Sequence, residues 1–203
     1  MIKGSGCSIR KLILSLFIFS TLTVAIYAQS TTIGGVINEY RHVVAIGGTD
    51  NVTVTDASLF ARDDTVLLIQ MKGVIINVPE GPSYGLYQTS AGAPGSYEFL
   101  IVLSVNLLID NVVFTSNLAN SYDVAGMVQL IKVPYYNSAR VTSELTCQPW
   151  DSTGKTGGVL AVIIGGNLSL DANINVSGKG FLGGTPFLGQ GICVDGNAAL
   201  YDK

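Results

Sequence analysis

The sequence predicts an all-β chain, with an antiparallel β-sandwich or small barrel followed by the start of a Gly-rich parallel β-helix. Three observations carry that expectation. From Gln29 to about Arg140, short apolar or alternating runs are separated by turn residues, without an amphipathic helical period. Hydrophobic residues make up 48% of the chain and charged residues 12%, the opposite of a disordered composition. Residues 157–196 hold 11 of the 24 glycines, and the apolar runs among them are too short and too close for hairpins but suit the turns of a solenoid.

The first segment is an address rather than a strand. Lys3, Arg10 and Lys11 precede an apolar run over residues 12–24, and Ala25 and Ala28 approximate a cleavage site, so residues 1–28 read as a secretory signal. The run is shorter than the ~20 residues that a bilayer core requires, and Cys7 precedes it, where a lipoprotein cysteine follows. No membrane association is expected after cleavage. Removing the three basic residues lowers the basic count from 11 to 8 against 14 acidic ones, a formal charge of −6. Such a balance gives no footprint for nucleic acid.

Residues 29–148 form the expected N-terminal β domain. Residues 52–55 (VTVT) alternate as a half-buried strand does, whereas residues 65–71 (TVLLIQM) are apolar almost throughout, as a strand covered on both faces is. The intervening residues 56–64 connect them, with room for one helical turn. Residues 97–105 place Phe99, Ile101, Leu103 and Val105 on one face. Residues 106–114 and 127–133 follow as further antiparallel strands. Between these runs, residues 79–95 contain three Pro and four Gly and read as an exposed loop. Its Tyr84 and Tyr87 are candidate ligand contacts, and equally candidate packing anchors.

Residues 149–203 form the expected incomplete Gly-rich β-helix segment, with short strands at 159–164, 168–170 and 174–176. Coils bury their apolar faces mainly against neighbours and need about three or more, so Lys203 reads as a cut in a longer chain. Cys147 and Cys193 either pair, in an oxidising exterior, or remain two buried thiols; spacing does not distinguish the two.

Two segments carry a family resemblance: VTVTDASLFARDDTVLLIQMKG (residues 52–73) and NSYDVAGMVQLIKVPYYNSARVTSELTCQPWDSTGKTGGVLAVIIGGNLSLDANINVSGKGFLGG (residues 120–184). They resemble the N-terminal region of large secreted surface proteins of gliding bacteria, associated with gliding motility and type IX secretion and of Gly-rich β-helix type. The resemblance implies an exported protein in which an N-terminal β domain leads into a β-helix, and it carries over no catalytic residue. Where that family commonly has Gly-Asp before its apolar strand, this chain has Asp63-Asp64. The opening strand motif also resembles the entry domains of tailspike-like β-helices, which implies polysaccharide binding or cleavage as the competing function.

No other motif supplies chemistry. Gly154-Lys155-Thr156 ends like a phosphate loop, but the position five residues before its final Gly is Pro149, and Gly157-Gly158 and a strand follow in place of a helix. One His and 3 Cys offer little for a zinc site. Oxygen-ligand calcium at Asp171, Asn173 and Asn175 is weighed against solvated turns, which the spacing favours. Asp56, Asp63, Asp64, Glu98, Asp123, Glu144 and Asp171 are the carboxylates available for sugar chemistry, which needs two facing one another; neighbours such as Asp63 and Asp64 point apart if extended. His42 reads as structural. No catalytic, cofactor-binding or metal-ligating set is therefore assigned. The expected function is a noncatalytic secreted or cell-surface structural or adhesive module, the N-terminal cap of a larger exported β-helix protein. Its expected partner is extracellular polysaccharide or another surface protein. The alternative is a polysaccharide-active lyase or glycosidase with its active face downstream.

Overall fold

The computed structural model describes residues 30–73, 75–76, 81–88 and 94–181, with backbone alone at 75, 76, 87 and 88. The signal segment 1–28 and Cys193 lie outside them. In chain order the described strands are β1 (Thr31–Val36), β2 (Glu39–Gly47), β3 (Asn51–Val54), β4 (Thr65–Gln70), β5 (Ile75–Ile76), β6 (Tyr87–Gln88) and β7 (Tyr97–Asn106). They continue with β8 (Asn111–Phe114), β9 (Val128–Lys132), β10 (Tyr135–Tyr136), β11 (Ala139–Thr146), β12 (Ile163–Ile164) and β13 (Leu168–Leu170).

Sandwich and barrel were both open on the sequence, and the strands close into a barrel. Its order is β2-β3-β8-β7-β4-β9, with every neighbour antiparallel. Two long strands make the corners. The first half of β2 pairs with β9 and its second half with β3, and the register shifts between Val43 and Ala45. Likewise β7 pairs first with β4 and then with β8, shifting between Val102 and Ser104. A bulge bends a strand and increases its twist, so each corner strand leaves one sheet and enters the other. Inside, Val43, Val52, Val54, Val66, Leu68, Leu100, Val102, Val112, Phe114 and Leu130 form the core.

The continuous apolar run of β4 has the expected cause. Val66 and Leu68 face the barrel interior, whereas Leu67 and Ile69 face outward into a second cluster with Tyr40, Ile131, Val133 and Ala161. In β7 the partition differs from what the row of Phe99, Ile101 and Leu103 suggests. Leu100 and Val102 are the buried residues, and Tyr97, Phe99, Ile101 and Leu103 stand on the exposed outer face. Leu100 and Val102 make the centre of the opposite face apolar as well, although Glu98 and Ser104 flank them, so alternation points to the wrong face as the inward one.

The parallel stacking starts earlier in the chain than the Gly-rich tract. β1, β11 and β13 form one parallel sheet in that order, and β10 pairs with β12 in parallel beside it. The barrel strands are thus all inserted between β1 and β11. Ala139 lies opposite Leu168 and Val141 opposite Leu170, and Thr146 donates to the Asn175 carbonyl at the same separation of 29 residues. That separation is one coil. Ile33, Ala139, Val141 and Leu145 fill its interior with Ile37, Tyr136, Leu160 and Ile164 against them. The coil then returns to its start, where the Trp150 N–H donates to the Lys179 carbonyl and the Trp150 ring meets Phe181 at 5.0 Å.

Residues 56–64 are turns without helix. The loop expected at 79–95 contributes one short pairing, since β6 runs antiparallel to β5.

Candidate functional site

The chemistry of this fold is concentrated where the barrel's outer wall meets segment 157–163. This segment runs past β2, β9 and β4, and residues 157–162 have no ladder pairing of their own. Buried backbone groups need partners, and here side chains supply them. Asn38, 4% exposed, donates from Nδ2 to the Ala161 carbonyl at 2.6 Å and accepts the Ala161 N–H on Oδ1 at 2.9 Å. A third bond from Nδ2 reaches the Lys132 carbonyl at 3.0 Å. At the other end of the segment, the fully buried Gln129 repeats the arrangement on Gly157, donating to its carbonyl at 2.9 Å and accepting its N–H at 2.8 Å. An amide side chain presents one donor and one acceptor as a peptide does, so each clamp imitates a step of sheet pairing.

Between the clamps, the Tyr40 hydroxyl donates to the Val159 carbonyl at 2.7 Å. Burial pushes its pKa up to about 12, against a smaller opposite pull from the Gln148 backbone. Tyr40, Leu67, Ile131 and Val133 meanwhile pack on Val159, Ala161 and Ile163. Gly157 makes the close approach possible. Its φ is +100°, and a Cβ there would collide with the Pro149 carbonyl oxygen.

The residues singled out in the sequence go elsewhere. Tyr84 is exposed on a turn closed by its own N–H to the Gly81 carbonyl, and the side chain of Tyr87 lies outside the described residues. Cys147 is buried at the end of β11, where burial raises its pKa. His42 bonds through Nδ1 to the Val128 carbonyl at 3.1 Å.

Each of the seven carboxylates has a local partner. Ser58 and then Arg41 hold Asp56 down at about 2, and Asp64 pairs with Lys132 at 2.8 Å. Asp63 lies 3.8 Å from Arg62. Glu98 accepts the N–H groups of Ala119 and Asn120, and Asp123 caps the short 3-10 turn Val124–Gly126. Asp171 pairs with Arg140, and Glu144 accepts from Asn175. Among the described residues, no three His, Cys, Asp or Glu side chains are grouped to hold a metal. Gly154-Lys155-Thr156 lies in a turn closed by Asp151 and Thr156.

Sequence reasoning missed the two clamps. The signal was present as a lone amide beside or within an apolar run, Asn38 after Val36-Ile37 and Gln129 between Val128 and Leu130.

No protein-family model matches the chain, and no curated protein matches it. Two solved structures are similar in part. The tailspike protein gp49 from Pseudomonas phage LKA1 aligns with 16% identity and a TM-score of 0.32 over 73% of this chain and 24% of that one. The Gp54 tailspike of Acinetobacter baumannii bacteriophage AP22, solved with A. baumannii capsular saccharide, aligns with 13% identity and a TM-score of 0.33 over 70% and 22%. The chain thus spans about a quarter of the length of the tailspikes it matches.

Proposed function

We propose that this chain is a noncatalytic structural or adhesive module of a secreted or cell-surface protein, in which the barrel caps the N-terminal end of a β-helix. The observation that carries the reading is the pair of amide clamps. Through Asn38 and Gln129, the barrel wall satisfies backbone groups of segment 157–161 that no ladder pairs, while the β1-β11-β13 stack propagates away in parallel. An uncovered strand edge invites association with other chains, and a terminal repeat with a specialised face is what a solenoid requires for solubility. The local partners of the seven carboxylates support a structural role for this part of the chain. Export through residues 1–28, an origin among surface proteins of gliding bacteria and an extracellular polysaccharide or surface-protein partner belong to the same proposal.

The test is the double variant Asn38→Leu with Gln129→Leu, followed by light scattering and circular dichroism. Capping predicts that the barrel still folds while the variant associates into large species. A variant that stays monomeric and fully folded sinks the reading. An immunoblot of fractionated cells tests the address, since a band confined to the cytoplasm excludes export.

A further inference from the structure

The tip of the β7–β8 hairpin is apolar where a turn is ordinarily polar. Residues 106–114 read from the sequence as strand, but the structure ends β7 at Asn106, starts β8 at Asn111 and turns the chain over residues 107–110. Three successive aliphatic side chains therefore stand on a turn, a place that Gly, Asn, Asp, Ser and Pro dominate. Leu107, Leu108 and Ile109 are exposed at 63%, 95% and 62%. None of the three joins a core cluster among the described residues.

The exposure belongs to a built turn. Asn106 and Asn111 pair across its foot. Asn106 Oδ1 accepts the Leu108 N–H at 3.0 Å, so the amide at the apex has its partner inside the turn. On the other side, Asp110 takes a left-handed φ of +50°, and its carbonyl accepts the Val54 N–H at 2.9 Å. Its carboxylate is turned back from the apex onto the Ala57 N–H, also at 2.9 Å. Residues 99–109 contain no charged side chain. The hairpin thus directs its one nearby carboxylate toward the barrel and its aliphatic groups toward solvent. A contiguous exposed apolar patch of this kind marks contact with a partner or a membrane.

The shape of the tip separates those two. Leu108 has almost no protein around it, and Leu107 and Ile109 flank it, so the apolar surface is convex. Fluid hydrocarbon closes around a convex apex without a matching pocket, while Asn106, Asp110 and Asn111 at the foot supply polar groups at headgroup depth. With residues 1–28 removed the chain carries a formal charge of −6, which an anionic surface repels. A zwitterionic surface does not.

We propose that the β7–β8 tip is a membrane contact, with Leu107, Leu108 and Ile109 entering the interfacial zone of a zwitterionic phospholipid bilayer while the barrel stays outside. This differs from the absence of membrane association expected from the sequence, in which residues 106–114 read as strand. The contact uses none of the residues that join barrel to coil, so it goes beyond the capping role and stands or falls apart from it.

Fluorescence of the intact chain with phosphatidylcholine vesicles tests the contact. Leu108→Trp places a fluorophore at the apex, and the single native Trp150 is buried and supplies a constant background. Apex emission is expected to move to shorter wavelength with vesicles and to lose most of its intensity when the acyl chains are brominated. Thr142→Trp, at an exposed position of β11, is expected to keep its emission, which distinguishes apex entry from attachment through another part of the chain. Each aliphatic side chain withdrawn from water is worth about tenfold in partitioning. Adding Leu107→Ser and Ile109→Ser to Leu108→Trp is therefore expected to weaken the apex response by on the order of 100-fold. All three positions are exposed, so these variants leave the core intact. The proposal is overturned if vesicles leave the apex emission unchanged, if positions 108 and 142 are quenched equally, or if the Ser substitutions do not weaken the response. Sedimentation velocity without lipid identifies the competing occupant. If the parent self-associates, the Ser substitutions abolish it and vesicles leave the apex emission unchanged, the tip docks on a second copy and the membrane contact is wrong.

Discussion

Asn38 and Ala161 are joined by two hydrogen bonds across 123 residues, with the amide side chain of one taking both backbone groups of the other. One side chain, placed just before the first barrel strand, thereby fixes where the coil crosses the barrel wall.

Replacing Asn38 with Leu leaves the Ala161 N–H and carbonyl without those partners in a buried site. Each orphaned group costs about 1–3 kcal/mol, so Asn38→Leu is expected to lower stability by about 2–4 kcal/mol. Urea unfolding followed by circular dichroism measures it. Asn38→Asp keeps the acceptor for the Ala161 N–H but loses the donor and sets a carboxylate against two carbonyls, so it is expected to be no better than Leu. A variant within experimental error of the parent would show that the clamp does not hold the coil.

The outward row on β7 gives a paired test with one chemistry. Leu100 is buried in the barrel core and Leu103 is exposed on the opposite face. Leu100→Ala opens a cavity and is expected to cost about 2–4 kcal/mol, against about 0.5 kcal/mol or less for Leu103→Ala. Equal losses at the two positions would mean that the outer face is covered in solution.

How far the fold was legible depended on whether its causes were local. The β4 run announced its two covered faces because TVLLIQ has no polar face to give to solvent. The closing of the sheets into a barrel was not legible, since it depends on bulges at Val43/Ala45 and Val102/Ser104 that leave no residue signature. Nor was the pairing of β1 with β11. Thr31 meets Ala139 only after the whole barrel has been threaded between them, and no periodicity spans such an insertion. The glycine-rich coil was visible because its repeat is short and its turns need glycine. The clamps escaped because an amide in an apolar run reads as a flaw until the backbone it serves is known.

Asp63 occupies a backbone conformation that glycine adopts more readily. Its φ is +69°, the left-handed region, and its side chain is largely exposed. An L-residue is strained there, Asp less than most because its short side chain can hydrogen-bond locally, while Gly gives back part of the gain through a more flexible unfolded chain. The net expectation for Asp63→Gly is a gain of about 0.5–1 kcal/mol. The weak Arg62 contact at 3.8 Å is too exposed to offset it. A lower thermal midpoint for the glycine variant would contradict this account.

Tyr40 gives the junction a pH limit whose sign follows from its burial. Its hydroxyl donates to the Val159 carbonyl, and desolvation raises its pKa from 10.0 to about 12 in the folded chain. The folded state thus holds the proton more tightly than the unfolded one. The stability this contributes is complete below pH 10 and is lost as the pH rises from there through about 12. Above that range the phenolate can no longer donate to Val159, and it would be a charge held among Leu67, Ile131 and Val133. Tyr40→Phe keeps the ring, so at neutral pH it is expected to lose only the hydrogen bond, about 1 kcal/mol. In the alkaline window, however, its stability should fall less steeply than the parent's. Burial raises Tyr122 too, so Tyr122→Phe is measured alongside to separate the two contributions. Urea midpoints taken at steps through the window decide the matter: a Tyr40→Phe slope equal to the parent's would remove Tyr40 as the group that loosens the barrel from the coil.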